Sequence, residues 1–286
     1  MRDYQIFTDS TADLQEEVDS VTVIPMNVEI GDKEYVYGPE GNITCKEFYD
    51  LQRQGNFAST SQINILEYEK YFEKALKEGK DVLYISFSSG MSGTYQTACL
   101  CRNELREAYP EQKIVCIDSL CAAVGEGFFV KEISNKKKEN QSLEELVKWI
   151  EDNKMNVCHW FTVDTFDHLK HGGRVSSVAA TLGNTLNIKP LLHVDDEGKL
   201  RVVKKIRGRH KAIAAQVECM EKTWMPELGK SVVVAHGDDP KVAEELKEKI
   251  EQKLPNAEVS ISEIGPIIGA HTGPGILVLI FWGNKR

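Results

Sequence analysis

Four hydroxyls fall within the short segment S-S-G-M-S-G-T: Ser88, Ser89, Ser92 and Thr94, interleaved with Gly90 and Gly93. Hydroxyls donate hydrogen bonds without carrying charge, and glycine lets backbone N–H groups approach a ligand closely. Such a segment suits the binding of an oxyanion, above all where it opens a helix and the helix dipole adds its positive end. A helix cap needs one hydroxyl, so four of them favour a ligand. The segment lacks the G-K-[ST] ending of an ATP-binding P-loop. Gly90-Met91-Ser92-Gly93-Thr94 also misses the nucleophile elbow G-x-S-x-G, because its last glycine comes one position early. Ser92 therefore reads as a donor rather than a nucleophile.

Other polar groups recur in the same style. Thr60-Ser61-Gln62 supplies two more hydroxyls ahead of an amphipathic stretch, and Asp9-Ser10 and Asp118-Ser119 end two apolar runs. Taken singly these read as turns and caps. Arg174 follows Gly172-Gly173, and His271 precedes the bend Gly273-Pro274-Gly275. A lone arginine or histidine is ordinarily a surface charge or a satisfied core group, but flanking glycines point to a special backbone path. No metal site is expected: the seven histidines form no i, i+4 pair with an acidic partner, and His168 and His171 flank a loop. The seven cysteines include no C-x-x-C pair, and Cys99 and Cys101 point in different directions on one helix. They read as small core residues with no chemistry assigned.

The elements that position these groups alternate. Val82 to Ile85 forms a buried strand, and Ala98, Cys101, Leu105 and Ala108 follow at helical spacing. Y-Q-I-F-T-D-S is an opening strand, T-A-D-L-Q-E-E-V a helix start, and V-T-V-I-P-M-N-V-E-I an extended run. Thr44 with Glu47 and Ser142 with Glu145 are capping boxes, Gly79 closes a helix, and Pro240 opens one. Further on, Val175 to Asn187 is helix-like, and D-D-E-G at 195–198 joins two strands as a hairpin. G-P-I-I-G-A-H-T-G-P-G reads as a glycine-rich loop before the apolar strand I-L-V-L-I-F-W. The fold class is α/β, with a mainly parallel N-terminal domain over 1–155 carrying the binding loops and a mixed C-terminal domain over 156–286.

A chain of 286 residues, 41% hydrophobic, has material for two such cores. Its net charge of -9, from 44 acidic and 35 basic residues, argues against nucleic acid as a partner. The late apolar run is far shorter than the roughly 20 residues of a spanning helix, and no signal segment opens the chain. A cytoplasmic, soluble protein is expected.

The motifs T-D-S-T-A-D-L, T-S-Q at 60–62, S-S-G-M-S-G-T-Y-Q-T-A, I-D-S, G-G-R-V-S, K-P-L-L with K-I-R-G-R-H-K-A, and H-T-G-P-G occur in this order across nearly the whole chain. Together the set resembles the DegV family of fatty-acid-binding proteins. The resemblance implies one long-chain fatty acid as ligand, held between the two domains, with no further cofactor. It implies that Thr60 and Ser92 bind the carboxylate, with Ser61, Ser89 and Gly93 beside them. Some members are the acid-presenting subunit (FakB) of bacterial fatty acid kinase, whose ATP-binding partner phosphorylates the carboxylate. Arg174 and a protonated His271 would then stand at the phosphoryl-transfer end, in catalytic roles exercised only with that partner. The chain departs from the pattern at Ile63, where proline is common, and at Ser177, where lysine is common.

Two other readings stay open. A lipid carrier or lipid-sensing regulator would show the same binding site without a kinase partner. A serine acyl hydrolase would pair Ser92 with His271, although no motif places a third carboxylate. The basic run Lys204, Lys205, Arg207, Arg209, His210 and Lys211 is either a solvated strand end or a docking patch for a kinase or a transient membrane contact.

Overall fold

A computed structural model describes residues 2–175, 187–284 and 286. The first half contains β1 (Tyr4–Asp9), β2 (Val21–Ile24), β3 (Met26–Ile30), β4 (Lys33–Tyr37), α1 (Cys45–Arg53), β5 (Ala58–Thr60), α2 (Ile65–Lys77), β6 (Asp81–Ser86), α3 (Thr94–Ala108), β7 (Ile114–Asp118), α4 (Val124–Lys138) and α5 (Leu143–Asn153). The second half contains β8 (Val157–Thr162), α6 (Asp167–His171), β9 (Ile188–Val194), β10 (Leu200–Arg207), α7 (Arg209–Thr223), β11 (Ser231–His236), α8 (Pro240–Lys253), β12 (Glu258–Glu263), α9 (Pro266–Thr272) and β13 (Leu277–Trp282).

The first sheet is parallel, in the order β2-β1-β6-β7. Strand β6 is buried at every position, which is the signature of a strand covered on both faces. Its neighbour β1 pairs with β2 on one side and β6 on the other, so the chain leaves β1 in one direction and returns in the other. That reversal opens a crevice at the carboxyl ends of β1 and β6, where the Asp9-Ser10 and Ser88–Thr94 segments begin. A second, three-stranded antiparallel sheet, β4-β3-β5, was not foreseen from the sequence. It makes Thr60 the last residue of a strand rather than part of a helix-entry turn.

The six-stranded sheet runs β10-β9-β8-β13-β11-β12 and is mixed, with only β11 and β12 parallel. The β9–β10 hairpin forms over residues 195–199 as expected. Both capping boxes are present, at Thr44 with Glu47 and at Ser142 with Glu145. The expected boundary at residue 155 falls in the short turn between α5 and β8. Helix α4 nevertheless shares one core with both sheets, where Phe128 and Phe129 join Ile6 and Leu83 on one side and Phe161 and Ile280 on the other.

Two local expectations are corrected. The segment after β1 is a single 3₁₀ turn, Ser10–Ala12, which Asp13 ends in the left-handed region at φ +47°. No helix grows there. Residues Pro266–Thr272, expected as a loop, form the helix α9. Pro266 presets its first turn, and Ile267 and Ala270 are buried in the core of the first half, so tertiary burial overrides the glycine content. The expected helix over Val175–Asn187, and Ser177 within it, lie almost wholly outside the described residues.

Candidate functional site

A cavity of about 310 Å³ lies between the carboxyl ends of β1 and β6 and one face of the six-stranded sheet. Strand register explains its apolar wall. Phe161 of β8 pairs with Val278 of β13, and Val194 of β9 pairs with Leu200 of β10, so all four side chains share one face. Ile267, Ile268, Ile276 and Leu169 continue that wall.

The polar wall gathers Thr60, Ser61, Ser92, Gly93, Arg174 and His271 at one cavity. Residues more than two hundred positions apart therefore meet. Thr60 Oγ1 lies 2.8 Å from His271 Nε2. Ser92 Oγ lies 2.8 Å from Thr94 Oγ1 and accepts the Thr94 N–H, so the hydroxyl is oriented by the first turn of α3. Ser89 is not among the lining residues: its backbone N–H donates to Asp118 Oδ1, which ties it to the end of β7. Ser88 is fully buried and donates to the carbonyl of Gly198, 2.7 Å away, binding the Ser-Gly loop to the β9–β10 hairpin.

Glycine is required where these pieces touch. A Cβ on Gly172 would stand 2.2 Å from His271 Nδ1, and one on Gly93 would stand 2.4 Å from Gln62 Oε1. Gly173 takes φ +67°, the left-handed conformation that turns the chain into Arg174. Arg174 is exposed and its guanidinium is anchored on the carbonyls of Met91 and Gly172. Among the described residues no carboxylate pairs with it, and its charge stands at the mouth.

His271 departs from expectation. Burial, reinforced by the positive charge of Arg174 and by His171, pulls it down to about 4, so the ring is neutral at physiological pH rather than protonated. Its Nδ1 is buried without a hydrogen-bond partner. In the tautomer that carries its proton on Nε2, the ring donates to Thr60 Oγ1 and leaves the Thr60 hydroxyl hydrogen free to point into the cavity.

Behind Thr11, which also lines the cavity, lies a sealed acidic network. Asp9, Asp13 and Glu126 are all buried. Thr8 Oγ1 donates to Glu126 at 2.8 Å and Tyr84 donates to Asp9 at 2.6 Å. The Thr11 hydroxyl touches both Asp9 and Glu126 but has one proton to give, so one carboxyl must return a proton to it. Burial raises Asp9 and raises Glu126 well above the ordinary carboxylate range, which makes Glu126 the protonated partner.

Thr11 belongs to the T-D-S-T strand end noted above, whereas no spacing singles out His159 or the contact of Gly198 with Ser88. His159 lines the cavity with both ring nitrogens occupied, Nδ1 by the Val157 carbonyl and Nε2 by the Ala122 N–H. His168 and His171 flank Phe57, whose ring stacks on His171 at 4.6 Å, and among the described residues no cluster suited to a metal forms. In the basic run, Arg209 is held by Asp164 and His210 by Glu245, while Lys204, Lys205, Arg207 and Lys211 are exposed.

Residues 3–283 match the family described as "Uncharacterised protein, DegV family". The chain belongs to the DegV family. A DegV domain-containing protein of Clostridium perfringens is 38% identical over 289 residues, covering 100% of this chain and 99% of its own. A DegV family protein from Thermus thermophilus, whose structure is described by its fatty acid binding, superposes with a TM-score of 0.87 at 28% identity, covering 99% of this chain and 100% of its own. The fold alone is shared, at 22% identity and a TM-score of 0.86, with the Streptococcus pneumoniae Fatty Acid Kinase (Fak) B3 protein loaded with linoleic acid, over 98% of this chain and 99% of the other. The two α/β domains with a parallel and a mixed sheet are thus a DegV architecture, and among the described residues no helix is long and apolar enough to cross a membrane.

Proposed function

We propose that this chain binds one long-chain fatty acid, with the tail along the apolar wall and the carboxylate between Thr60 and Ser92, and presents that carboxylate to an ATP-dependent kinase. The observation that carries the reading is the division of the cavity into an apolar wall and a hydroxyl-rich end with Arg174, which has no carboxylate partner among the described residues. Its volume lies at the lower end of the roughly 300–1,000 Å³ of small-molecule sites. Burying roughly 15 methylenes at about 0.8 kcal/mol each gives on the order of 12 kcal/mol gross, so the tail supplies most of the affinity.

The carboxylate must still be satisfied as it leaves water. Neutral hydroxyls do this while leaving one oxygen free to attack phosphorus, whereas a bidentate arginine would cover both. A neutral His271 sets the Thr60 hydroxyl as donor, and Thr94 sets Ser92 in the same way. Arg174 sits outside this pair. As the phosphoryl group arrives, its charge grows, and an exposed guanidinium at the mouth stabilises that state more than the ground state.

The Ser92–His271 hydrolase reading is not supported by the hydrogen bonding, since Ser92 is paired with Thr94 and His271 with Thr60. The deciding experiment reconstitutes the acid-loaded protein with a fatty acid kinase ATP-binding subunit and follows acyl phosphate. Arg174→Ala should keep its bound acid and form acyl phosphate at least about tenfold more slowly. Loss of the acid in that variant would count against the role given to Arg174, and bound acid that no kinase subunit turns over would leave a carrier.

A further inference from the structure

Three cysteines, Cys45, Cys99 and Cys219, are half-buried, and Cys101, Cys116, Cys121 and Cys158 are buried. Cys99 differs from the others in its surroundings. It lies on α3, which packs on β7, and the Cys116 sulfur in β7 is 3.8 Å from the carbonyl oxygen of Ala98, the residue before Cys99. That thiol donates to the carbonyl and also acts on the Cys99 sulfur, as does the Tyr95 hydroxyl one helical turn earlier. A buried thiol held against a partly accessible one, on two elements already in contact, is the arrangement of an attacking and a resolving cysteine.

We propose that Cys99 and Cys116 form a dithiol modification site, in which a hydroperoxide oxidises Cys99 and Cys116 closes the disulfide. The Cys99 thiolate attacks the terminal peroxide oxygen; an S–O bond forms, the O–O bond breaks, and the leaving oxygen takes up a proton. Cys99 is then a sulfenic acid and the peroxide has been reduced by two electrons. The Cys116 sulfur attacks the Cys99 sulfur, the S–S bond forms, the S–O bond breaks, and hydroxide leaves as water with the Cys116 proton. A small dithiol reductant reverses the step.

The charges around the pair agree with this order. Hydrogen bonds from Cys116 and Tyr95 and the nearby Arg102 pull Cys99 down to about 6 against burial, so the thiolate dominates at neutral pH. Burial instead pushes Cys45 up to about 12 and raises Cys219, which makes these two half-buried thiols internal controls. Cys99 sits on the helix whose first turn orients Ser92 and Cys116 on β7, so the disulfide would fasten the Ser-Gly loop's helix to the sheet.

The test uses the full reduced chain, treated with hydrogen peroxide, quenched with an alkylating agent and mapped by peptide mass. The expected result is a loss of two hydrogens, recovered as a Cys99–Cys116 linked peptide that dithiothreitol separates. Cys116→Ser, with Cys116→Ala as a second variant should the first fold poorly, should stop at a Cys99 sulfenic acid trapped by dimedone. Cys99→Ser should give neither product. Independently of any variant, iodoacetamide at neutral pH should alkylate Cys99 about tenfold or more faster than Cys45 and Cys219. Equal alkylation rates for the three, or a disulfide between other cysteines, would overturn the proposal.

Discussion

At the mouth of the cavity Thr60 meets a neutral histidine at 2.8 Å, whose Nε2–H tautomer leaves it a hydroxyl hydrogen to offer, while among the described residues Arg174 has no carboxylate partner. One strand end away, Thr11 meets Asp9 and Glu126, and Tyr84 and Thr8 supply further donors, so the hydroxyls around these two carboxyls are used within the network. Thr60 ends a strand and Thr11 lies in the turn after one, and both regions have polar groups shielded from water. The mouth leaves donors over, and the acidic network behind Thr11 uses them internally. A ligand site and a structural network therefore differ in their surplus of hydrogen-bonding capacity rather than in residue type.

The largest effects expected from this contrast lie in the acidic network. Thr11→Val removes the hydroxyl that joins two buried carboxyls and should cost about 3 kcal/mol or more of stability, read as a lower denaturant midpoint. Thr60→Val should leave the midpoint within about 1 kcal/mol but weaken fatty acid binding by roughly tenfold to a hundredfold, the weight of a hydrogen bond to a charged group, read by titration calorimetry. Equal stability losses in the two variants would erase the distinction.

The pH dependence separates the regions further. Glu126 is raised, so the folded state keeps a proton that the unfolded chain releases above its ordinary value near 4.5, and its contribution to stability declines as pH rises from there. Glu126→Gln should flatten that decline in midpoints measured from mildly acid to mildly alkaline pH. His271 has the opposite sign. Its lowered value means that the unfolded chain takes up a proton first, so its contribution is complete above about 6.5 and is lost as pH falls through about 4. His271→Gln should flatten the acid limb and leave the alkaline limb unchanged.

The smallest effect expected is at Ser88. Ser88→Ala removes the hydrogen bond from the Ser-Gly loop to Gly198 and the acceptor of the Gly90 N–H, and should cost about 1 kcal/mol in stability, with a severalfold loss of acid affinity as the loop loosens.

Much of this arrangement was legible in the residues. The strand into the Ser-Gly loop, both capping boxes, the hairpin at 195–198 and the buried strand Leu277–Trp282 follow from local pattern, because each is decided by neighbours in the chain. The helix Pro266–Thr272 was not, since its glycines weaken it locally and its burial against the first half is decided by distant residues. For the same reason Ser88 and Ser89 could not be told apart from Ser92. Their partners, Gly198 and Asp118, lie 110 and 29 residues away. The protonation of His271 was missed because burial is a property of the fold, and no spacing reports it.

The central claim, that the hydroxyl-rich mouth holds the carboxylate of a long-chain acid, is tested most directly by mass spectrometry of organic extracts from the purified protein, beside its native mass before extraction. The account predicts one long-chain fatty acid per chain, reduced in Thr60→Val and in Ser92→Ala but retained in Arg174→Ala. A wild-type protein that carries no acid and takes up none when it is added would contradict it.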